Sequence, residues 1–304
     1  MTTERPESPT ARFRQTGLDW PIVIGLTVLH LGAVASLFFF SWSALVVALI
    51  LYWVTGGLGI TLGFHRLLTH RSFKTPKWFE YVLTSFGCLA WQGGPVTWVG
   101  THRLHHKHSD TDHDPHTPRH GFNWAHVFWC MFNQPEGEPA ANAAKDLLRD
   151  PGHRFLNKFF WLPPIVLGVI LYFSGSLAAY LGLNTSGLSW LLWGLCMRTV
   201  AVYHATWFVN SATHTWGYRS NDTKDDSTNL WWVALLSFGE GWHNNHHAQQ
   251  RSAAHGWKWY EFDITYITIK VLSYVGLARE IVQPNLADET TNDESANSGH
   301  IASD

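Results

Sequence analysis

The chain has 304 residues, of which 14% are charged, against about 25% in soluble domains. It holds 18 tryptophans and carries a formal net charge of −2 with its 19 histidines neutral. That balance excludes a basic nucleic-acid-binding surface and favours a membrane protein with aromatic residues at the lipid–water boundary. Residues 1–18 are polar, contain Pro6 and Pro9, and lack the apolar core of a signal peptide, so they are expected to be disordered. Trp20 to Phe40 is an uncharged apolar run containing one histidine, long enough for a spanning helix of about 20 residues. After the short turn Ser41-Trp42-Ser43, Ala44 to Gly63 supplies a second such run. Two spans joined so tightly form a hairpin whose outer ends lie on one side. Arg5, Arg12 and Arg14 precede it, and Arg66, Arg71, Lys74 and Lys77 follow it, which marks that side as cytoplasmic.

Trp78 to Gly94 is apolar but short and carries Glu80. A full crossing there would put the histidine clusters on opposite sides, so this segment is expected to dip into the bilayer or lie at its surface. Residues 97–158 are polar and rich in histidine. Lys158 to Gly182 contains a third span, with Pro163-Pro164 near its start, and Ser186 to Asn210 a fourth, with Arg198 as its single charge. Residues 211–282 return to the cytoplasm, and 283–304, rich in Asn, Asp, Glu and Ser, read as a disordered tail. The expected fold is all-α: a multi-pass membrane protein with four transmembrane helices and a cytoplasmic histidine-rich helical cap, its integral domain covering 19–282. Cys88, Cys130 and Cys196 are odd in number and far apart, and are read as reduced core residues.

His102, His105 and His106 follow one another at i, i+3 and i+4, so a helix sends all three imidazoles from one face. His243, His246 and His247 repeat that spacing, and His65 and His70 make a looser pair. The pair is five apart, roughly 140° around an α-helix, so His70 is expected beyond the end of the helix that carries His65. His214, close after the fourth span, is a ninth candidate. Nine imidazoles exceed what one metal takes, whereas two metals with four or five each fit. A structural zinc site needs four ligands, usually with cysteine. An all-imidazole dinuclear site with open positions suits a redox metal that binds O2, iron above others. Carboxylates are then needed to orient the rings, and Asp110, Asp112, Asp114 and Glu240 sit in or beside the clusters. His30 is read as a packed core histidine, and His108, His113 and His116 as solvated or accessory. His120, His126, His153, His204, His255 and His300 are read as structural.

These boxes resemble those of the membrane-bound fatty acid desaturases, in particular the stearoyl-type Δ9 enzymes. The matching stretches are Gly63 to His70, Thr101 to Asp110, Asn210 to His214 and Gly239 to His247, within a resemblance covering about residues 20–280. It implies a di-iron centre held by His65, His70, His102, His105, His106, His214, His243, His246 and His247, with Asn210 acting through a water. It also implies a bent acyl tunnel whose bend residues match Gln92, Trp98, Thr206 and Trp207, and O2 as co-substrate. The other tryptophans near the boxes, such as Trp91, Trp231, Trp232 and Trp242, are read as interface anchors. Acyl-CoA members of the family carry Arg-Asp before the second box and Arg-Lys further on, where this chain has Gly100-Thr101 and Asn133-Gln134. Missing cations imply a membrane lipid as acyl carrier, as in cyanobacterial-type acyl-lipid desaturases. The sequence shows no fused haem domain and no flavin or nicotinamide fingerprint, so electrons are expected from a separate protein, ferredoxin before cytochrome b5. A hydroxylase on the same scaffold, an acyl-CoA desaturase and, from a different class, a membrane metal transporter are the alternatives. A transporter calls for ligands along a path at mid-membrane depth, where only His30 lies.

Overall fold

A computed structural model describes residues 17–133 and 139–286. The two predicted terminal segments, 1–18 and 283–304, fall almost wholly outside the described residues, as do Arg5, Arg12, Arg14, Gln134 and His300. Among the described residues the regular structure is entirely helical, with a few isolated bridges and no strand. Helix α1 (Trp20–Phe39) and helix α2 (Trp42–Thr69) form the first hairpin. Helix α3 (Lys77–Leu89) and helix α4 (Pro95–His108) follow. Helix α5 (Leu162–Tyr180) and helix α6, continuous over 187–211, form the second hairpin. Two short helices, α7 (His243–Ala248) and α8 (Ile264–Tyr274), close the chain.

Three helices, α1, α2 and α5, are long and apolar enough to cross a membrane. Only 17% of α1 and 22% of α5 is buried over the apolar stretch, against 44% of α2, so α2 is the inner helix and the other two face outward. Their outward faces carry Val28, Leu31, Phe38, Ile170 and Phe173, which only lipid would cover without cost. The fourth predicted span, α6, is a continuous helix but less apolar than these three, since it carries Arg198, His204 and Asn210. The hairpin turns meet. Ser41 Oγ caps α2 at Ala44 N (3.2 Å) and contacts Thr185 Oγ1 and Ser189 Oγ at 2.8 and 3.1 Å. Trp190 Nε1 donates to Ser43 Oγ at 3.1 Å. With both turns at one end, the free ends of both hairpins, and the boxes they carry, gather at the other.

Two local features aim the boxes. The second half of α2, from Trp53 to Thr69, winds as a π-helix, in which residues five apart stack. His70 is the residue capping this helix, and its N–H donates to the His65 carbonyl at 3.1 Å. The wider turn aligns His65 with His70, which an α-helix would have splayed. The expectation that His70 lies just past the helix end is met, and the π-turn supplies the alignment. The second feature is a close crossing of α2 and α3. A Cβ on Gly59 would stand 2.5 Å from Gly87 N, and one on Gly87 would stand 2.4 Å from the Phe64 ring. Only glycine at both positions lets α3 lie so near α2. The chain then turns through Trp91 (φ 57) and Gly93 (φ 103) and enters α4 at Pro95, a favoured first helical residue.

Candidate metal centre

The box imidazoles converge in two groups. His65, His70, His102, His106 and His246 each bring a ring nitrogen within 4.8 Å of the others, and so do His105, His214, His243 and His247. All nine predicted histidines are present and none is left out. The i, i+3, i+4 spacing of each box divides between groups: His102 and His106 go to the five-histidine set and His105 to the four. Likewise His246 goes to the first and His243 with His247 to the second. Each box therefore serves both groups, which holds them side by side.

Carboxylates set the ring orientations. His105 Nδ1 donates to Asp114 (2.9 Å), His214 Nδ1 to Asp110 (3.1 Å) and His247 Nδ1 to Asp225 (2.8 Å). Because an ionised carboxylate only accepts, the proton is on Nδ1, and Nε2 keeps its lone pair for a metal. Glu240 Oε2 lies 2.7 Å from His65 Nδ1 and 3.0 Å from His255 Nδ1, off the hydrogen-bonding direction of either ring. Burial by itself would raise these four acids, but the neighbouring imidazoles, and Arg66 for Glu240, hold all of them below the ordinary carboxylate range. Burial, helped by adjacent imidazoles, pushes His70, His102, His106, His243 and His246 well down, so these rings are neutral near pH 7.

The donor set fits metal cations. Nε2 of His214, His243 and His247 is buried with no hydrogen-bond partner, and such orphaned acceptors are costly unless a cation takes their lone pairs. In the other group Nε2 atoms crowd together: His65 and His70 at 3.1 Å, His102 and His106 at 3.0 Å, His106 and His246 at 3.0 Å. Charge points the same way. Asp110, Asp114, Asp225, Glu240 and Asp263 lie on or close behind the box histidines, and Arg66 pairs with two of them, Glu240 and Asp263. Divalent cations held by the imidazoles would offset this negative charge.

Of the predicted carboxylates, Asp110, Asp114 and Glu240 touch box histidines. Asp112 does not: its side chain is 81% exposed and its nearest partner, His120 Nε2, is 3.7 Å away. Asn210 sits on α6 one turn before His214. Gln92, Trp98 and Thr206 are linked: Trp98 Nε1 donates to Gln92 Oε1 (3.1 Å), and Gln92 Nε2 to Thr206 Oγ1 (3.0 Å). Trp98 also stacks on His102, ring centres 5.2 Å apart. Trp207, buried on the next position of α6, stacks on Tyr203. His30, His204 and His126 form a separate line beside α6, with His30 Nδ1 donating to the Leu26 carbonyl at 2.7 Å. Neither metal group includes them.

Several contributors carry no sequence signal of their own. Asp225 lies in a loop without periodicity, and His255 and Asp263 have no ligand-like spacing. His116, read as accessory, is fully enclosed against His105, ring centres 4.4 Å apart. The paired asparagines of the third box are structural: Asn245 Nδ2 donates to Glu261 Oε2 (2.8 Å) and to the His255 carbonyl (2.9 Å). Asn244 Oδ1 accepts from the Ser220 and Asn221 amides. They fix α7, which at six residues is too short to hold itself. Asp225→Asn is expected to lower metal affinity and turnover by about tenfold to a hundredfold, measured as metal retained after dialysis against a chelator. Full retention would show that Asp225 does not orient His247.

Residues 8–267 match the family model described as "Fatty acid desaturase". The chain is 51% identical over 274 residues to a protein named "sn-1 stearoyl-lipid 9-desaturase" from Anabaena variabilis, covering 90% of this chain and 96% of that one. A protein of the same name from a Synechocystis strain is 48% identical, covering 87% of this chain and 80% of the relative. An acyl-CoA 5-desaturase from Anemone leveillei is 44% identical over 84% of this chain and 77% of the relative.

Proposed function

The chain belongs to the fatty acid desaturase family, and on that premise we propose that it introduces a cis Δ9 double bond into a saturated acyl chain carried by a membrane lipid. The observation that carries this reading is the pair of imidazole groups beside the Trp98–Gln92–Thr206 network. His65, His70, His102, His106 and His246 would hold one iron, and His105, His214, His243 and His247 the other, with Asn210 acting through a water. When bound, the irons supply the O2 activation that removes two hydrogens. The protein's own part is placement. An acyl chain bent at Gln92, Trp98, Thr206 and Trp207 presents one C–C pair to the five-histidine group, because Trp98 lies against His102. Thr206 also borders a small cleft lined by Tyr52, Gly56, Ile60, Val202 and Phe238.

The lipid carrier is supported by packing around the second box. A Cβ on Gly100 would stand 1.9 Å from the Ala140 carbonyl oxygen, so an arginine at this position, as acyl-CoA members have before the box, has no room. Asn133, at the second such position, donates its side-chain amide to the Gly17 and Leu18 carbonyls at the entry to α1. For topology we adopt four spans, with α6 as the fourth, and the box-bearing cap on the cytoplasmic face. Helix α8 exposes Ile267, Val271 and Tyr274 on one face, as a helix lying on the membrane surface does. A separate donor, a ferredoxin ahead of a cytochrome b5, would deliver electrons to that cap.

Expression in a desaturase-deficient host, followed by separation of lipid classes, tests the proposal. A new cis-9 monoene appearing first in intact glycerolipids is the expected result. Appearance first in the acyl-CoA pool would overturn the carrier, a hydroxy acid would favour hydroxylation, and no product with iron and reductant present would overturn the activity.

A further inference from the structure

Helix α6 holds the turn between α3 and α4 at three points. Arg198 Nη1 donates to the Leu89 carbonyl at 2.8 Å. Tyr203 Oη donates to the Trp91 carbonyl at 2.7 Å. Thr206 Oγ1 accepts from Gln92 Nε2 at 3.0 Å. The three donors and acceptors follow one another along one helix, and their partners follow one another along one turn. The turn needs holding. Trp91 adopts φ 57, a left-handed conformation unfavourable for a residue with a Cβ, and Gly93 is also at positive φ. Arg198 is wholly buried and its Nε donates to Gly194, inside the π-wound part of α6, so its guanidinium joins that irregular stretch to the end of α3. Tyr203 stacks on Trp207, which places one side chain against both the turn and a bend residue.

We propose that Tyr203 and Arg198 are positioning residues for the desaturation: they fix the turn that carries Gln92, and so select which C–C pair of the acyl chain loses hydrogen. Neither side chain touches the metal groups, and each acts through Gln92 and Trp98. This inference rests on the desaturase reading. If the turn shifts along α6, the Gln92–Thr206 and Trp98–Gln92 bonds shift with it, and the bend meets the acyl chain at a neighbouring carbon.

The test is the positional-isomer ratio of the monoene made by the full-length chain in cells, since a merely structural defect lowers the amount of product but leaves its isomer ratio alone. Tyr203→Phe removes one hydrogen bond and keeps the ring on Trp207. It is expected to raise the minor isomers about tenfold, the scale of one buried hydrogen bond. Arg198→Met is expected to do the same, with Arg198→Lys restoring much of the selectivity through its remaining donor. Tyr180→Phe, on an exposed tyrosine far along α5, serves as the matched control. An unchanged isomer ratio in Tyr203→Phe, at any yield, would overturn the inference even if Arg198→Met fails to accumulate. No monoene from the unaltered chain would overturn the desaturase reading itself, and this inference with it.

Discussion

His105→Ala is expected to abolish desaturation, with at least about a hundredfold loss of turnover, while the purified protein keeps roughly half of the parent's metal. His105 sits in the four-histidine group, where the other rings come from the turn after α6 and from α7, so it is the contribution of α4 to that group. The substitution removes a proposed ligand and also strands Asp114, which is 0% exposed and accepts from His105 Nδ1, the Asp110 amide and the His116 amide. A buried carboxylate that loses its imidazole loses a hydrogen-bond donor and faces the space the ring filled. Metal analysis separates this from general misfolding: the five-histidine group has no member at position 105 and keeps its full set. His300→Ala, in the C-terminal tail, should leave both metal and turnover unchanged. Activity within threefold of the parent in His105→Ala would mean that the ligand assignment is wrong.

Arg66→Met carries the largest expected loss of stability, about 3–5 kcal/mol. The Arg66 side chain is wholly enclosed. Its Nε donates to Glu240 (3.0 Å), and its Nη1 to Asp263 (2.9 Å) and to the Ala253 carbonyl (2.6 Å). It therefore ties the end of α2 to the third box and to the segment after it. Methionine fills most of the volume and leaves two buried carboxylates without their cation. In thermal unfolding the midpoint should fall by on the order of 10 °C. Arg66→Lys should recover little, because one ammonium cannot reproduce a planar fork reaching three acceptors. Glu240 also faces His65, so metal in the five-histidine group should bind more weakly. A melting midpoint within two degrees of the parent, with full metal content, would show that the pair of carboxylates is neutralised some other way.

The boxes were legible in sequence because helical spacing and ligand chemistry agree there: residues at i, i+3 and i+4 leave one face, and imidazole binds metals. What spacing could not supply is how each box divides between two groups, since that depends on the angle at which α4, α6 and α7 meet. Nor does spacing show the π-winding of α2, which turns an unfavourable five-residue interval into a usable one. Of four carboxylates chosen by proximity to the boxes, three touch a ring, and Asp112 points outward because the loop 109–114 turns at Asp110, whose φ is 60°. Asp225 was invisible because long-range placement, and no local pattern, brings its loop to His247. The apolar runs at α1, α2 and α5 were plain from composition. Helix α6 was harder to weigh, for its Arg198 lowers the apolar signal, and the carbonyls of Leu89 and Gly194, with the Thr55 hydroxyl, explain how a guanidinium is accommodated there.

The box histidines come from four stretches of chain, the first ending at His70 and the last at His247, and both groups draw members from the last of them. During synthesis neither group can therefore be complete until the whole second hairpin has been made. Metal uptake is thus expected to come late in assembly, with the final box as the latch, and chains made under metal limitation should be degraded faster than metal-replete ones in a pulse-chase measurement.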